Sequence, residues 1–186
     1  MTRIVAGSAR GRRLRTPTGQ RTRPTADRVR EALFSALESA LGSLEGLRVL
    51  DLYAGSGAVG LEAMSRGAGV ATLVEGDRRT ARLVQQNADD LGFRRAEVVA
   101  APVEKAVALP PRAPYDVAFL DPPYALGDPD LSRVLDSLAG NGWLTRGAIV
   151  VVERSSRGDE PGWPPGITGE RHKEYGETML WYAKAD

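Results

Sequence analysis

The stretch Asp121-Pro122-Pro123-Tyr124 closes the apolar run Val117-Ala-Phe-Leu120 and has the groups needed to handle an amine. Neither proline can donate a ladder hydrogen bond and each fixes its own φ, so a strand must stop there. A carboxylate, a stiffly held backbone carbonyl and an aromatic ring are left together at the strand's carboxyl end. In open α/β sheets that edge is where ligands bind. An acid oxygen and a carbonyl oxygen match the two N–H groups of an amino group on a heterocycle, and a ring can stack on that heterocycle. Asp121, Pro122 (through its carbonyl) and Tyr124 are therefore the candidate catalytic residues. An ordinary Pro-Pro turn is the competing reading of the tetrapeptide alone.

A second constellation lies upstream. Val49-Leu-Asp51-Leu-Tyr-Ala-Gly55-Ser-Gly57-Ala-Val-Gly60 reads as strand, Gly-rich turn and helix, and Glu75 stands 20 residues beyond Gly55 at the end of the next strand. Glycines let the backbone approach a ligand, and an acid at the second strand can accept both hydroxyls of a ribose. Gly55, Gly57 and Gly60 satisfy G-x-G-x-x-G, so a nicotinamide dinucleotide competes. Asp51 separates the readings. A carboxylate four residues ahead of Gly55 repels a pyrophosphate but suits a cationic amino group, and nicotinamide chemistry has no use for Asp-Pro-Pro-Tyr. A ligand with an α-amino group, a ribose and a sulfonium meets these demands, which is S-adenosylmethionine. Its expected contacts are Asp51, Gly55, Gly57 and Glu75. Ala101-Pro102-Val103-Glu104 stands at the third strand's end, so the adenine contact is expected from the Val103 N–H, with Glu104 a solvated helix-start acid.

These residues need a scaffold, and the chain from Leu47 onward alternates strand and helix as a mostly parallel sheet with helices on both faces does. Strands are predicted near 47–53, 70–75, 96–100, 115–121 and 147–153, and helices near 57–66, 77–91, 102–109 and 129–139. Gly67, Gly92 and Gly140 fall where helix ends favour a left-handed residue. The segments 168–174 and 177–184 then break the rhythm as a terminal antiparallel hairpin turning at Tyr175-Gly176. Ahead of the sheet, Thr25 is the predicted cap of a helix with Val29, Leu33, Phe34, Leu37 and Leu41 on its apolar face, ended by Gly42.

Composition excludes several chemistries. Cysteine is absent and His172 is the one histidine, which removes thiolate metal sites, a Cys nucleophile and His-clustered metals, so no metal is expected. No apolar run approaches a membrane span of about 18 residues, and the start is no signal peptide; an intracellular, cytoplasmic location fits. The net charge of +1 hides an asymmetry. Residues 1–30 hold nine arginines and one acid, a formal +8, leaving 16 basic and 23 acidic residues, −7, in the remainder. The segment from Arg3 to Leu14 reads as a short hairpin with too few apolar residues to fold alone. Docking on the body and gripping a polyanion are its expected uses, with Arg10, Arg12, Arg13, Arg23 and Arg28 as phosphate contacts. Arg30, off the apolar stripe, is expected to extend this surface. The expected organisation is a basic extension over 1–21 and one catalytic domain over 22–186. His172 is expected to be an exposed strand residue, and Trp143, Trp163 and Trp181 packing or loop anchors.

Taken together, Asp51-Leu-Tyr-Ala-Gly-Ser-Gly, Glu75 and Asp121-Pro-Pro-Tyr resemble class I, Rossmann-like methyltransferases acting on exocyclic amines of nucleic-acid bases. Arg3-Ile-Val-Ala-Gly-Ser-Ala-Arg-Gly-Arg-Arg-Leu, Thr22-Arg-Pro-Thr-Ala-Asp-Arg-Val-Arg-Glu-Ala-Leu-Phe and Tyr175-Gly-Glu-Thr narrow the resemblance to the bacterial RsmD family. That resemblance implies a seven-stranded sheet with an antiparallel last strand. It also implies S-adenosylmethionine-dependent methylation of N2 of guanine 966 (rRNA numbering) in 16S ribosomal RNA, in an assembled or assembling small subunit. Alternatives are a DNA adenine-N6 or cytosine-N4 methyltransferase, against which stands the lack of a long target-recognition segment, and a non-catalytic RNA-binding assembly factor.

Overall fold

The computed structural model describes residues 2–19 and 24–186, without the side chains of Pro24 and Thr25. Two short strands, β1 (Thr2–Arg3) and β2 (Arg13–Leu14), pair antiparallel ahead of helix α1 (Pro24–Leu41). The main run follows as β3 (Arg48–Leu52), α2 (Ala58–Ser65), β4 (Val70–Glu75), α3 (Arg78–Asp90), β5 (Ala96–Ala100), α4 (Val103–Ala106), β6 (Tyr115–Leu120) and α5 (Asp128–Gly140). It ends with β7 (Leu144–Ser155), β8 (Ile167–Tyr175) and β9 (Thr178–Ala185). Seven strands form one sheet in the order β5-β4-β3-β6-β7-β9-β8. β9 inserts between β7 and β8 and runs against both, while β3 to β7 are mutually parallel. This is the architecture the alternating rhythm and terminal hairpin predicted.

The sheet order determines where a ligand can sit. After β3 the chain moves outward through β4 and β5, then returns to lay β6 on β3's other side. The helices that follow β3 and β6 consequently leave in opposite directions and open a crevice at the strands' carboxyl ends. The central strands are apolar on both faces, as strands covered twice must be. Leu50, Leu52, Ala118, Leu120, Val150 and Val152 pack on the side of α5, while Val49, Val117, Phe119, Ile149 and Val151 pack against Val29, Leu33, Phe34 and Leu37 of α1.

Three local expectations are corrected. Helix α1 begins at Pro24, so Thr25 lies inside the helix and the capping position, Arg23, falls outside the described residues. A proline at a helix's first position is favourable, because its missing N–H has no intrahelical acceptor there. Gly140 is the last helical residue of α5, and the left-handed turn falls two residues later at Gly142 (φ 77°). Arg30 is buried and paired rather than part of the basic surface. Strand β7 also begins at Leu144, earlier than its apolar core suggests, because Gly147 (φ 77°) breaks the hydrophobic pattern at a register shift opposite β6. His172 is exposed, its ring 4.7 Å from that of Trp181, and the buried Trp143 donates Nε1–H to the Val107 and Leu109 carbonyls. Trp181 is buried and Trp163 half-buried, donating to Glu160, as anchors should be.

Candidate active site

A cavity of about 1000 Å³ opens over the carboxyl ends of β3 and β6 and gathers residues from both constellations. Asp51, Tyr53, Gly55 and Glu75 line one part of it, Val103 and Glu104 its edge, and Asp121, Pro122 and Tyr124 the other part. Residues separated by 70 positions in the chain thus share one chamber.

The Gly-rich turn is built by the acids expected to meet the ligand. Asp51, buried at the end of β3, accepts the Gly60 N–H at 2.9 Å and so fixes the start of α2. Burial drives its carboxyl well above the ordinary range; the Gly60 hydrogen bond opposes this, while the charges of Asp121 and Glu75 add to it. Glu75 accepts the Gly55 N–H at 2.9 Å and the Asp77 N–H at 3.0 Å, one on each carboxylate oxygen, leaving further lone pairs on both. A Cβ on Gly55 (φ 59°) would meet no protein atom within 4 Å. Gly57 differs. It does not line the cavity but sits behind the turn at φ 82°, where a Cβ would lie 2.9 Å from Val84 Cγ1. Its role is to let the turn close on α3. Tyr53, between Asp51 and Gly55, is itself held at φ 61°, a left-handed conformation uncommon for a side chain of its size. Its buried hydroxyl has no partner among the described residues, and burial first, then Glu104 and Asp130, push its pKa up to about 12, with Arg154 opposing.

At the catalytic end, β6 stops at Leu120 and the Asp121 N–H reaches back to the Leu52 carbonyl. Pro123 accepts the Leu126 N–H, which tightens the turn, and Arg154 donates to the Leu126 carbonyl at 3.0 Å from below. Among the described residues the exposed Asp121 carboxylate has no hydrogen-bond partner, and it opens onto the cavity. Burial raises its pKa and Arg154 pulls it back. Tyr124 is 76% exposed, the most exposed large hydrophobic side chain among the described residues. Glu153 on β7 joins them in the cavity lining, its pKa raised by burial and by Asp121. Sequence reading missed Glu153, although it closes an apolar strand much as Asp121 does.

Arg10, Arg12, Arg13 and Arg28 stand apart from the cavity. All four are exposed, and Arg23 lies outside the described residues. The hairpin that carries the first three is fastened to the body by groups the sequence reading passed over. Glu62, fully buried on α2, accepts the Val5 and Ala6 N–H groups at 2.8 and 2.9 Å and pairs with Arg66 at 3.0 Å and Arg30 at 3.6 Å. Arg30 also donates to the Arg3 carbonyl. Ser65 accepts from the Ala9 N–H, and Asn87 of α3 exchanges two hydrogen bonds with the Arg15 backbone while donating to the Ser56 carbonyl. That last contact ties the hairpin to the Gly-rich turn. Thr2, Thr16 and Arg30 consequently line the same cavity. A buried acid on a helix whose neighbours are small and apolar was the available signal for Glu62.

Parallel strands in this order, one antiparallel insertion, and a glycine turn answered by an acid on the neighbouring strand define a Rossmann-like class I methyltransferase. S-adenosylmethionine is the cofactor this class implies. Its polar groups fit the residues present: free lone pairs on Glu75 for a ribose, buried acid at Asp51 for an ammonium, and open space at Gly55. The chain matches the family described as Conserved hypothetical protein 95 over residues 2–184 and belongs to it, alongside the RsmD proteins. It is 37% identical over 175 residues to the ribosomal RNA small subunit methyltransferase D of Escherichia coli K12, covering 94% of this chain and 85% of that one. The solved structure of yhhF from Escherichia coli superposes with a TM-score of 0.87 at 33% identity, over 99% of this chain and 97% of that one. At 13% identity, magnesium protoporphyrin IX methyltransferase from Synechocystis, solved with SAM bound, shares the fold alone (TM-score 0.66, over 90% and 86% of the two chains).

Proposed function

We propose that this protein methylates the exocyclic N2 of one guanine, position 966 in rRNA numbering, in 16S ribosomal RNA, within the assembled or assembling small subunit. The single observation that carries the reading is an unpartnered Asp121 carboxylate beside the Pro122 carbonyl, in the cavity that also holds Asp51, Gly55 and Glu75. The relatives' names supply the RNA class, and a cytoplasmic location follows from that substrate. Residues 1–21 serve as the RNA-contacting extension of a catalytic domain over 22–186.

Bound S-adenosylmethionine supplies an electrophilic methyl group on a sulfonium. Asp51 would hold its amino group and Glu75 its ribose hydroxyls, Gly55 would let the backbone approach, and the Val103 N–H, at the first position of α4 where no intrahelical acceptor exists, would meet the adenine. Guanine N2 is a poor nucleophile because its lone pair is drawn into the ring. Asp121 Oδ and the Pro122 carbonyl would accept its two N–H groups, so that the nitrogen can pyramidalise with its lone pair free for the methyl, and Asp121 would take the proton that the nitrogen sheds on methylation. Preorganised acceptors and positioning then supply most of the acceleration. Tyr124 stacks on the base once it has left its helix or loop. Arg10, Arg12, Arg13, Arg23 and Arg28 hold phosphates and orient the RNA.

The test is transfer of labelled methyl to small subunits, naked 16S rRNA or DNA, followed by nucleoside analysis. Label in N2-methylguanine from the RNA supports the reading. N6-methyladenine or N4-methylcytosine from DNA would replace it with the DNA-modifying alternative.

A further inference from the structure

Three acids of the sheet's carboxyl edge lie on one face. Side chains alternate along a strand, and Val49, Val117, Phe119, Ile149 and Val151 all pack on the α1 side. Asp51, Asp121 and Glu153, each an even number of residues further along its strand, lie toward that side as well. The parallel register matches Leu120 with Val152, so Asp121 and Glu153 are the next neighbours across β6 and β7, at strand spacing of about 4.8 Å.

The acids of the cavity divide by occupation. Asp51 holds Gly60, Glu75 holds Gly55 and Asp77, and Glu177 at the mouth already has a partner. Glu104, in the first turn of α4, follows β5, which lies three strands from β6 in the sheet. Among the described residues Glu153, like Asp121, has no hydrogen-bond or ion-pair partner, and the charge that bears on it is that of Asp121 itself. Two unpartnered carboxyl groups side by side in a half-buried chamber are costly without a ligand whose edge presents adjacent donors.

A guanine has such an edge. Its N1–H lies next to its 2-amino group, whereas adenine and cytosine present a bare ring nitrogen beside their amino groups. With the 2-amino group between Asp121 and the Pro122 carbonyl, the neighbouring acceptor falls on the N1 side. We propose that Glu153 accepts the N1–H of the target base and so selects guanine over bases that carry an amino group beside a bare ring nitrogen. The inference rests on the guanine-N2 reading above and gives that same site its specificity-determining residue. Gln at this position retains an oxygen acceptor for N1–H, but its amide can also turn to donate to a bare nitrogen.

The experiment compares small subunits reconstituted with guanine or 2-aminopurine at the target position; 2-aminopurine keeps the amino group and lacks the N1–H. The wild-type protein is expected to prefer guanine by about 10–100-fold in kcat/KM, the size of one hydrogen bond to a charged group. Glu153→Ala is expected to lose the guanine rate by that factor while the 2-aminopurine rate stays within a few-fold, so the preference collapses. Glu153→Gln, the variant closest to native shape, is expected to narrow the preference and keep most of the guanine rate. If both variants slow the two substrates equally, or if wild-type protein shows no preference, the inference is overturned and the N2 reading stands. If wild-type protein methylates neither substrate yet binds S-adenosylmethionine, both fall.

Discussion

Glu62 and the Asp121–Glu153 pair are acids of one protein under opposite conditions. Glu62 is fully buried and saturated: two backbone N–H groups, two guanidiniums, and no remaining need for a ligand. Asp121 and Glu153 line the cavity, carry raised pKa values, and have no donor among the described residues. A satisfied buried carboxylate holds elements together, and here it fastens the basic hairpin and α1 to α2. An unsatisfied one at the edge of a cavity is kept for something that arrives. The distinction separates the fastening of the N-terminal hairpin from the acids left open to the cavity.

Removing one member of each kind should therefore damage different properties. Asp121→Ala is expected to lower methyl transfer by about 10²–10³-fold or more, the loss seen when a preorganised electrostatic partner is removed. Cofactor affinity by calorimetry should stay within a few-fold. Glu62→Ala should do the reverse. It leaves Arg30 and Arg66 short of a buried partner, and urea unfolding should show a loss of about 3–5 kcal/mol, with early proteolysis near Val5 and Ala6. A normal stability for Glu62→Ala would erase the contrast from one side.

The pair also has a pH signature. Its folded carboxyl pKa values lie above their unfolded values, so its contribution to stability is fully present below about pH 4 and is lost as pH rises through the folded values. Glu153→Gln removes part of that loss. Its melting temperature should exceed wild type near pH 8 by about 2–4 °C, what 1 kcal/mol gives in a chain of this length, and match it near pH 4. The smallest effect belongs to the surface. Replacing Arg10, Arg12 and Arg13 with Ala should leave melting unchanged and reduce the salt slope of RNA binding by about 0.7 per lost phosphate contact.

What could be read in advance followed physical simplicity. Proline pairs, glycine turns and unbroken apolar runs act locally, so the tetrapeptide, the turn at Gly55 and the central strands were legible. Glu75 was legible because its distance from Gly55 is set by one strand–helix–strand unit. Glu62, Ser65 and Asn87 were not, since their importance comes from a hairpin more than 50 residues earlier in the chain. Arg30 looked like surface for the same reason: its partners Glu62 and the Arg3 carbonyl are remote in sequence. Glu153 required the β6–β7 register to reveal its neighbour. Gly57 was read as a ligand contact, whereas packing against Val84 accounts for it.

The clamp itself can be tested most directly by solving the protein with a bisubstrate in which guanosine N2 is joined to the cofactor at the transferred carbon. That nitrogen keeps one N–H, so Asp121 Oδ or the Pro122 carbonyl should lie about 2.7–3.2 Å from it, the range of a true hydrogen bond, with the other acceptor facing the same nitrogen and Tyr124 against the base. Contradiction would be a guanosine bound with N2 turned away from both acceptors while the adenosyl group still occupies the chamber between Asp51 and Glu75.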